Sequence, residues 1–448
     1  MAYAYTIGNG HNGYNIIKIK ANTLEALGII CLFVISFFNT TALFIFMILL
    51  LFFLKQKQIG AIKIMNIITL RTIINPGIAV DISSFQIFKW TILMGCSIYL
   101  LLSYSKLDNE NFKKFRDIAI LVLIFAFYNI FVAFIFSSLP IISIAKVTSY
   151  ILPFLGVLVG VGCTHKNFNW IDWLLKILMP LFIISFFIIK LPISYLRNGI
   201  SFQGLTNHPN MFGMVSVIFF AILISHSQIN KRINKWYFLL LSLIIFYMVI
   251  ISRSRTSLGS LIILVLLYLV FTNDYKGLKK LIIINAIMLI MVFILLNNDI
   301  RNSIISFFYK GHEHILYSRA PQINALLSNF FKNPWFGNGF AVPVLPYRSY
   351  EFSFEFIVEP GNLILAVLSY SGIFGFIIFL SYIIKIFYVN KKNFKNVGFL
   401  PISAILVSMG EMVFFSTNNI GVWCYMLLAI YVFYDNKDSL KEGNVNLI

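Results

Sequence analysis

Charged residues are scarce in this chain. Asp, Glu, Lys and Arg make up 11% of its 448 residues, whereas 59% are hydrophobic and the mean hydropathy is +0.87. Soluble globular proteins carry about a quarter charged residues, so a soluble domain is excluded. Alternating segments of about ten residues, typical of an outer-membrane barrel, are absent as well. Apolar runs such as 281–296 instead predict an all-α polytopic integral membrane protein of about 12–14 transmembrane helices.

Cysteine is also rare. The four cysteines, Cys31, Cys96, Cys163 and Cys424, lie in or beside apolar runs without paired spacing. They therefore predict neither a disulfide framework nor a metal site. The first twenty residues have no apolar segment behind their lysines, so we expect no cleavable signal peptide.

Acidic residues are outnumbered by basic ones, 16 to 35, which gives a net charge of +19. In a membrane protein this excess is better explained by lysines that hold cytoplasmic loops in place than by nucleic-acid binding. We predict fourteen spans, at residues 25–38, 41–54, 64–80, 85–103, 117–136, 141–162, 170–189, 211–226, 236–252, 257–271, 280–296, 361–388, 397–416 and 420–434. This threading places five lysine-rich loops and both termini on one side, which we interpret as the cytoplasm.

The spans divide the chain into three parts: a transmembrane bundle of about eleven spans, a large extracytoplasmic loop with short surface helices, and about three C-terminal spans with a cytoplasmic tail, at 1–296, 297–360 and 361–448. Three of the predicted spans have alternatives. The first two spans could form one long helix broken at Asn39, and the span at 64–80, which carries Arg71 and Pro76, could be re-entrant.

The arginines are distributed differently from the lysines. Six of the nine fall on the predicted outer side, where the positive-inside rule disfavours them: Arg197, Arg253, Arg255, Arg301, Arg319 and Arg348. Topology alone would distribute both residue types alike, so this sorting indicates binding. A guanidinium forks two hydrogen bonds onto a phosphate, which suits a lipid-linked diphosphate. The alternative is that some of these arginines only snorkel to ordinary phospholipid headgroups.

Arg255 is the strongest candidate among them. It closes one predicted helix and stands directly before the next, where backbone N–H groups would form an anion-friendly helix N-terminus.

A histidine and two glutamates are candidates for proton transfer. His208 lies in an outer Asn-His-Pro-Asn segment in which Asn207 is the expected helix cap, and a solvated loop histidine is the alternative. Glu359 opens a long span, where it either complements the helix dipole or acts as a general base. Glu411 lies inside the span predicted at 397–416 and also merits attention as an intramembrane carboxylate.

Three stretches appear in a recognisable order. LRNGISFQGLTNHPNMFG leads into a span, and SRSRTSLGS joins two spans. Arg319 then precedes a Pro…Gly-x-Gly turn at 333–339, and a helix opens on GNLILAVLSYSGIFG. Over roughly residues 195–375 the chain resembles the O-antigen polymerase and O-antigen ligase superfamily of bacterial membrane glycosyltransferases.

The chain departs from the family pattern at one point. Ligases of the family typically carry a His-Asn pair at the start of the last of these helices, whereas Gly361-Asn362 stands here. This difference favours a polymerase over a ligase.

The resemblance implies a bacterial inner-membrane enzyme that acts on oligosaccharides linked to undecaprenyl diphosphate. It would move the growing chain onto the non-reducing end of another lipid-linked unit, without metal or cofactor and without nucleic acid. Arg255, backed by Arg197, Arg319 and Arg253, would grip the diphosphate, and Glu359 or His208 would act as the base. Membrane lipid and a chain-length regulator are further expected partners. The alternatives are an O-antigen ligase and a lipid-linked oligosaccharide flippase.

Overall fold

The computed structural model describes residues 21–230, 234–271, 319–343 and 361–435, with five isolated positions between 285 and 306. These residues form α-helices joined by turns, with two isolated β-bridges and no strand among them. Seven of the described helices are long and apolar enough to cross a membrane, and three shorter ones are apolar. The all-α polytopic membrane class is therefore confirmed. The predicted span at 280–296, and Arg301, Arg348 and Glu359, lie outside the described residues.

The described part of the chain before the outer loop contains ten helices. They are α1 Ala21–Ile35, α2 Thr40–Leu51, α3 Gln58–Thr72, α4 Gln86–Leu102, α5 Asn109–Phe136, α6 Pro140–Thr164, α7 Trp170–Phe187, α8 Pro209–Ile229, α9 Lys235–Ser252 and α10 Arg255–Phe271. The first two predicted spans are separate helices, because the side chain of Asn39 caps α2 by accepting a hydrogen bond from the backbone N–H of Ala42.

The longer α-helices in the remaining described residues are α11 Ala320–Lys332, α12 Leu363–Val389, α13 Phe399–Val407 and α14 Gly421–Phe433. Helix α11 lies in the predicted outer loop, where the apolar spacing indicates a short helix. The thirteen residues of α14 are all buried, and α14 packs against α6 and α13. Helix α13 packs in turn against α8 and α10, so the ends of these three helices come together.

The span predicted at 64–80 is helical only as far as Thr72. Beyond it the chain turns, and the buried Arg71 guanidinium donates hydrogen bonds to Ser36 and to the carbonyl of Val80. Arg71 thus supplies a buried donor to the carbonyl of this non-helical segment. The second half of this predicted span is therefore wrong.

Candidate functional site

The turn between α9 and α10 is formed by the stretch that reads Ser-Arg-Ser-Arg-Thr-Ser. Arg253 follows α9 in the left-handed region, with φ 56° and ψ 26°, so two residues suffice to reverse the chain. The carbonyl of Ser254 accepts a hydrogen bond from the N–H of Leu258 at 3.0 Å. Helix α10 consequently begins at Arg255 itself, two residues before the predicted span at 257–271, and Arg253 is exposed.

Buried serines fix this turn against α8. Ser254 Oγ donates to Ser257 Oγ at 2.8 Å, and both side chains are buried. A Cβ atom at Gly213 would lie only 2.6 Å from Ser254 Oγ, so α8 and α10 can approach closely only because position 213 has no side chain. The N-terminus of α10 is therefore held beside the first turn of α8, which carries Asn210.

Arg319 joins three segments that are far apart in the sequence. Its Nη1 donates hydrogen bonds to the carbonyl oxygen of Gly361 at 3.2 Å and to that of Gly410. Its Nη2 donates to Oε1 of Glu411 at 3.2 Å. One guanidinium therefore ties the beginning of α11 to the beginning of α12 and to the segment after α13.

Glu411 receives a second hydrogen bond from α8. Its Oε1 accepts from Nδ2 of Asn210 at 2.8 Å. The sequence places Glu411 inside a span at 397–416, but α13 ends at Val407 and Glu411 lies in the turn beyond it. This prediction was wrong because the carbonyl of Gly410 bonds to Arg319 instead of continuing the helical ladder.

Two glycines make room for this arrangement. A Cβ atom at Gly361 would lie 2.8 Å from the carbonyl oxygen of Gly410 and still closer to Nη1 of Arg319. A Cβ atom at Gly410 would lie 2.8 Å from Cβ of Thr256, the residue that follows Arg255. The Arg319 guanidinium and the carbonyl of Gly410 thus occupy the volume that a side chain would fill at position 361, and the side chain of Thr256 occupies that volume at position 410.

The two best-placed arginines of the sequence analysis lie near each other. Arg255 is half-buried at the N-terminus of α10, and the positive charge of Arg319 repels it. Arg319 is held in place by its ion pair with Glu411, and Arg255 by its position at the start of α10. Like charges held together at a helix N-terminus favour an anion that bridges them.

The predicted turn at 333–339 fills a break in α12, and its prediction as a turn is confirmed. Helix α12 is interrupted at Gly372, which has φ 62° and ψ −169°. The N–H of Ile373 donates to the carbonyl of Pro334 at 2.8 Å, and the N–H of Gly339 donates to the carbonyl of Tyr370 at 3.1 Å. The break therefore has its backbone hydrogen bonds satisfied by the turn that follows α11, which fixes the chain downstream of Arg319.

His208 caps α8. Its Nδ1 accepts a hydrogen bond from the N–H of Asn210 at 3.1 Å, and Pro209 is the first helical residue. The expectation that Asn207 caps this helix was wrong, because the helix begins at Pro209 and its N-cap is therefore the next residue, His208. His208 therefore has a structural role in the described geometry.

Among the described residues, Arg197 does not join the hydrogen-bond network around Arg319. Arg197 lies on the exposed tip of a hairpin closed by the bridge between Tyr195 and Phe202. Glu359 lies outside the described residues. Among the residues that the structure describes, no three His, Cys, Asp or Glu side chains form a group that could hold a metal ion.

The contribution of Asn210 was missed at the level of sequence. The sequence does contain an indication of this role, because the second Asn of the Asn-His-Pro-Asn motif falls in the first turn of a predicted transmembrane helix. Gly410 has no comparable signal, since a glycine in an apolar run reads as part of a helix.

The sequence model of the family described as O-Antigen ligase matches residues 239–380. This range is about a third of the chain and contains the Ser-Arg-Thr turn, Arg319 and the start of α12. None of the curated proteins matches the chain significantly. The family match confirms that the chain resembles the superfamily of O-antigen ligases and polymerases.

Proposed function

We propose that the protein is a polysaccharide polymerase that works at the outer face of the bacterial cytoplasmic membrane. It transfers a glycan from undecaprenyl diphosphate onto the non-reducing end of another lipid-linked repeat unit. The observation that carries this proposal is that Arg319 binds the carbonyl of Gly410, which packs against Thr256, the residue after Arg255 at the N-terminus of α10. A lipid diphosphate satisfies two neighbouring guanidiniums better than an ordinary monophosphate headgroup does, because it offers more charge and more acceptor oxygens.

The chemistry of the transfer explains why this charge is useful. The bond between the anomeric carbon and the diphosphate breaks, and negative charge develops on the leaving lipid diphosphate. Guanidiniums aimed at its oxygens stabilise the transition state more than the ground state. The N–H groups of the first turn of α10 add to this effect. Arg197 and Arg253, both exposed, contact the same diphosphate from further out.

Position 361 supports a polymerase rather than a ligase. Ligases of the resembling family carry a histidine there, and this chain has no room for one, because a side chain at 361 would collide with Arg319. The space that a histidine base would need is filled by the guanidinium. The transfer in this protein therefore uses a different base.

The first experiment examines cells that lack the gene, complemented with the wild type or with Arg255→Ala. Surface polysaccharide is separated on a gel, and lipid-linked intermediates are extracted from the same cells. Core that bears a single repeat unit, without a ladder, is expected for the null and the mutant. Loss of every repeat-bearing band with accumulation of lipid-linked polymer would indicate a ligase instead. Repeat units trapped on the cytoplasmic face would indicate a flippase.

The second experiment tests the guanidinium itself. Arg255→Ala is expected to reduce polymer formation roughly 100-fold or more, the size of effect seen when a group that stabilises developing charge is removed. Arg255→Lys keeps the charge and loses the fork, so it should also be strongly impaired. Arg116→Lys, on the lysine-rich side, is the matched control, because Arg116 is exposed and pairs with its neighbour Asp117. Unchanged polymer in Arg255→Lys would count against a bidentate diphosphate contact.

A further inference from the structure

The carboxylate of Glu411, which pairs with Arg319, accepts hydrogen bonds from the described residues through only one of its two oxygens. Both of the hydrogen bonds that Glu411 accepts, from Asn210 and from Arg319, end on Oε1. Among the described residues Oε2 accepts none. The side chain of Glu411 is 36% exposed and that of Arg319 21% exposed, so a ligand can reach both. An oriented carboxylate with one open oxygen, next to a cluster of positive charge, is an arrangement suited to binding a hydroxyl group.

We propose that Glu411 is the catalytic carboxylate that binds the attacking sugar hydroxyl and accepts its proton. This inference rests on the proposed function, and it names the residue that does the work expected of Glu359 or His208. The hydroxyl oxygen forms a bond with the anomeric carbon of the donor glycan. The bond from that carbon to the diphosphate oxygen breaks, and its electron pair leaves with the lipid diphosphate. The hydroxyl proton passes to Glu411 and then to water.

Arg319 links the two halves of this reaction. The same guanidinium donates to Glu411 and, in the proposed function, contacts the diphosphate. A bound diphosphate and the Glu411 carboxylate would both accept hydrogen bonds from this one guanidinium. The donor and the attacking hydroxyl would therefore be held next to each other.

Asn210 is a positioning residue in this scheme. It is fixed in the first turn of α8, where His208 accepts from its backbone N–H, while its side-chain amide donates to Glu411 Oε1. The amide therefore restricts rotation of the carboxylate. The hydrogen bond spans 201 residues of sequence and connects the motif at the start of α8 with the turn after α13.

The test uses the full-length protein in detergent micelles, with undecaprenyl-diphosphate-linked repeat units extracted from a strain that lacks the gene. Glu411→Gln keeps the shape and can still accept from Asn210 and Arg319. We expect it to lower kcat roughly 100-fold or more, with the KM for the lipid-linked donor changed less than about threefold. The wild-type rate should fall at acidic pH as the base is protonated, and this fall should disappear in Glu411→Gln. Glu411→Asp should retain part of the rate and the acidic fall.

Two controls separate the outcomes. Glu110→Gln removes an exposed carboxylate on the lysine-rich side, paired with Lys114, and should behave as wild type. Asn210→Ala should lower kcat while leaving the acidic fall in place, because the base is still present.

A Glu411→Gln protein with wild-type rate would overturn the inference. So would a Glu411→Gln protein that is slow but keeps the acidic fall, since Glu411 would then only hold Arg319. Either result leaves the proposed function intact, provided that the wild type polymerises and Arg255→Ala does not. A wild type that forms no polymer from these units would instead overturn the proposed function.

Discussion

The guanidinium of Arg319 packs directly against the Cα of Gly361 at the beginning of α12. The guanidinium lies where a Cβ atom of residue 361 would be, and from there it donates to the carbonyl of the same glycine. The identity of residue 361 and the position of the arginine are therefore coupled.

Gly361→Ala is expected to displace Arg319 and to reduce polymer formation at least tenfold, because the added methyl group collides with Nη1 and with the carbonyl of Gly410. Gly361→His should be as inactive, despite restoring the residue typical of ligases. Polymer formation in the purified variants is the measurement. Gly259→Ala is the control, since a Cβ atom there would meet no atom within 4 Å. An active Gly361→His protein would show that Arg319 can move aside.

Substitutions of Arg253 can separate the effect of its left-handed backbone conformation from the effect of its charge. A non-glycine residue at φ 56° costs roughly 1–2 kcal/mol, so Arg253→Gly should keep or raise the thermal unfolding midpoint. If Arg253 contacts the diphosphate, the same variant should lose activity, and Arg253→Lys should lose less. Unfolding in detergent and polymer formation are measured on the same preparations. A stable Arg253→Gly protein with wild-type activity would remove Arg253 from the site.

Gly372→Ala tests the break in α12. Alanine would be strained at φ 62°, and its Cβ atom would lie 2.6 Å from the N of Phe336 in the docked turn. We expect destabilisation of about 2 kcal/mol or more, together with lower activity, because the turn follows α11 and fixes the chain near Arg319. The thermal midpoint is compared with that of Gly95→Ala, a helical glycine with open space around it. Equal midpoints would mean that the turn does not depend on the break.

Arg71 should behave as a structural arginine. Arg71→Met would leave the carbonyl of Val80 and the hydroxyl of Ser36 without their buried donor, at a cost of roughly 1–3 kcal/mol. The yield of folded protein and its thermal midpoint should fall, while the activity per folded molecule stays near wild type. A folded Arg71→Met protein with a selective loss of activity would contradict this assignment and bring Arg71 into the functional site.

Much of the fold was accessible from the sequence because apolar periodicity and turn residues are local signals. Asn39 separates α1 from α2, the Ser-Arg-Thr stretch joins α9 to α10, and the Pro-Gly-rich stretch after α11 is a turn. The family match at residues 239–380 agrees with the motifs from which the resemblance was drawn.

Two features that local preference does not predict depend on tertiary hydrogen bonds. The helix predicted through Glu411 ends early because Arg319, 92 residues away, binds Glu411 and its neighbouring carbonyl. The break at Gly372 is stabilised by carbonyls from another segment of the chain. No short window of the sequence contains both partners of these contacts. The cap of α8 is different, because His208 and Asn210 are two residues apart and the sequence misleads only in that histidine is not among the preferred N-cap residues.

The way in which Arg319 is held has a consequence for tracing this protein's distant relatives. Two of its three acceptors are backbone carbonyls, and every residue type presents the same carbonyl. An arginine that is anchored in this manner leaves no complementary acidic residue as a trace at those two positions. Its trace is the absence of side chains at Gly361 and Gly410, where bulk is forbidden. A relative that holds its arginine in the same way would be recognised by small residues at both of these positions. The two positions are far apart in the sequence, and both depend on one distant arginine.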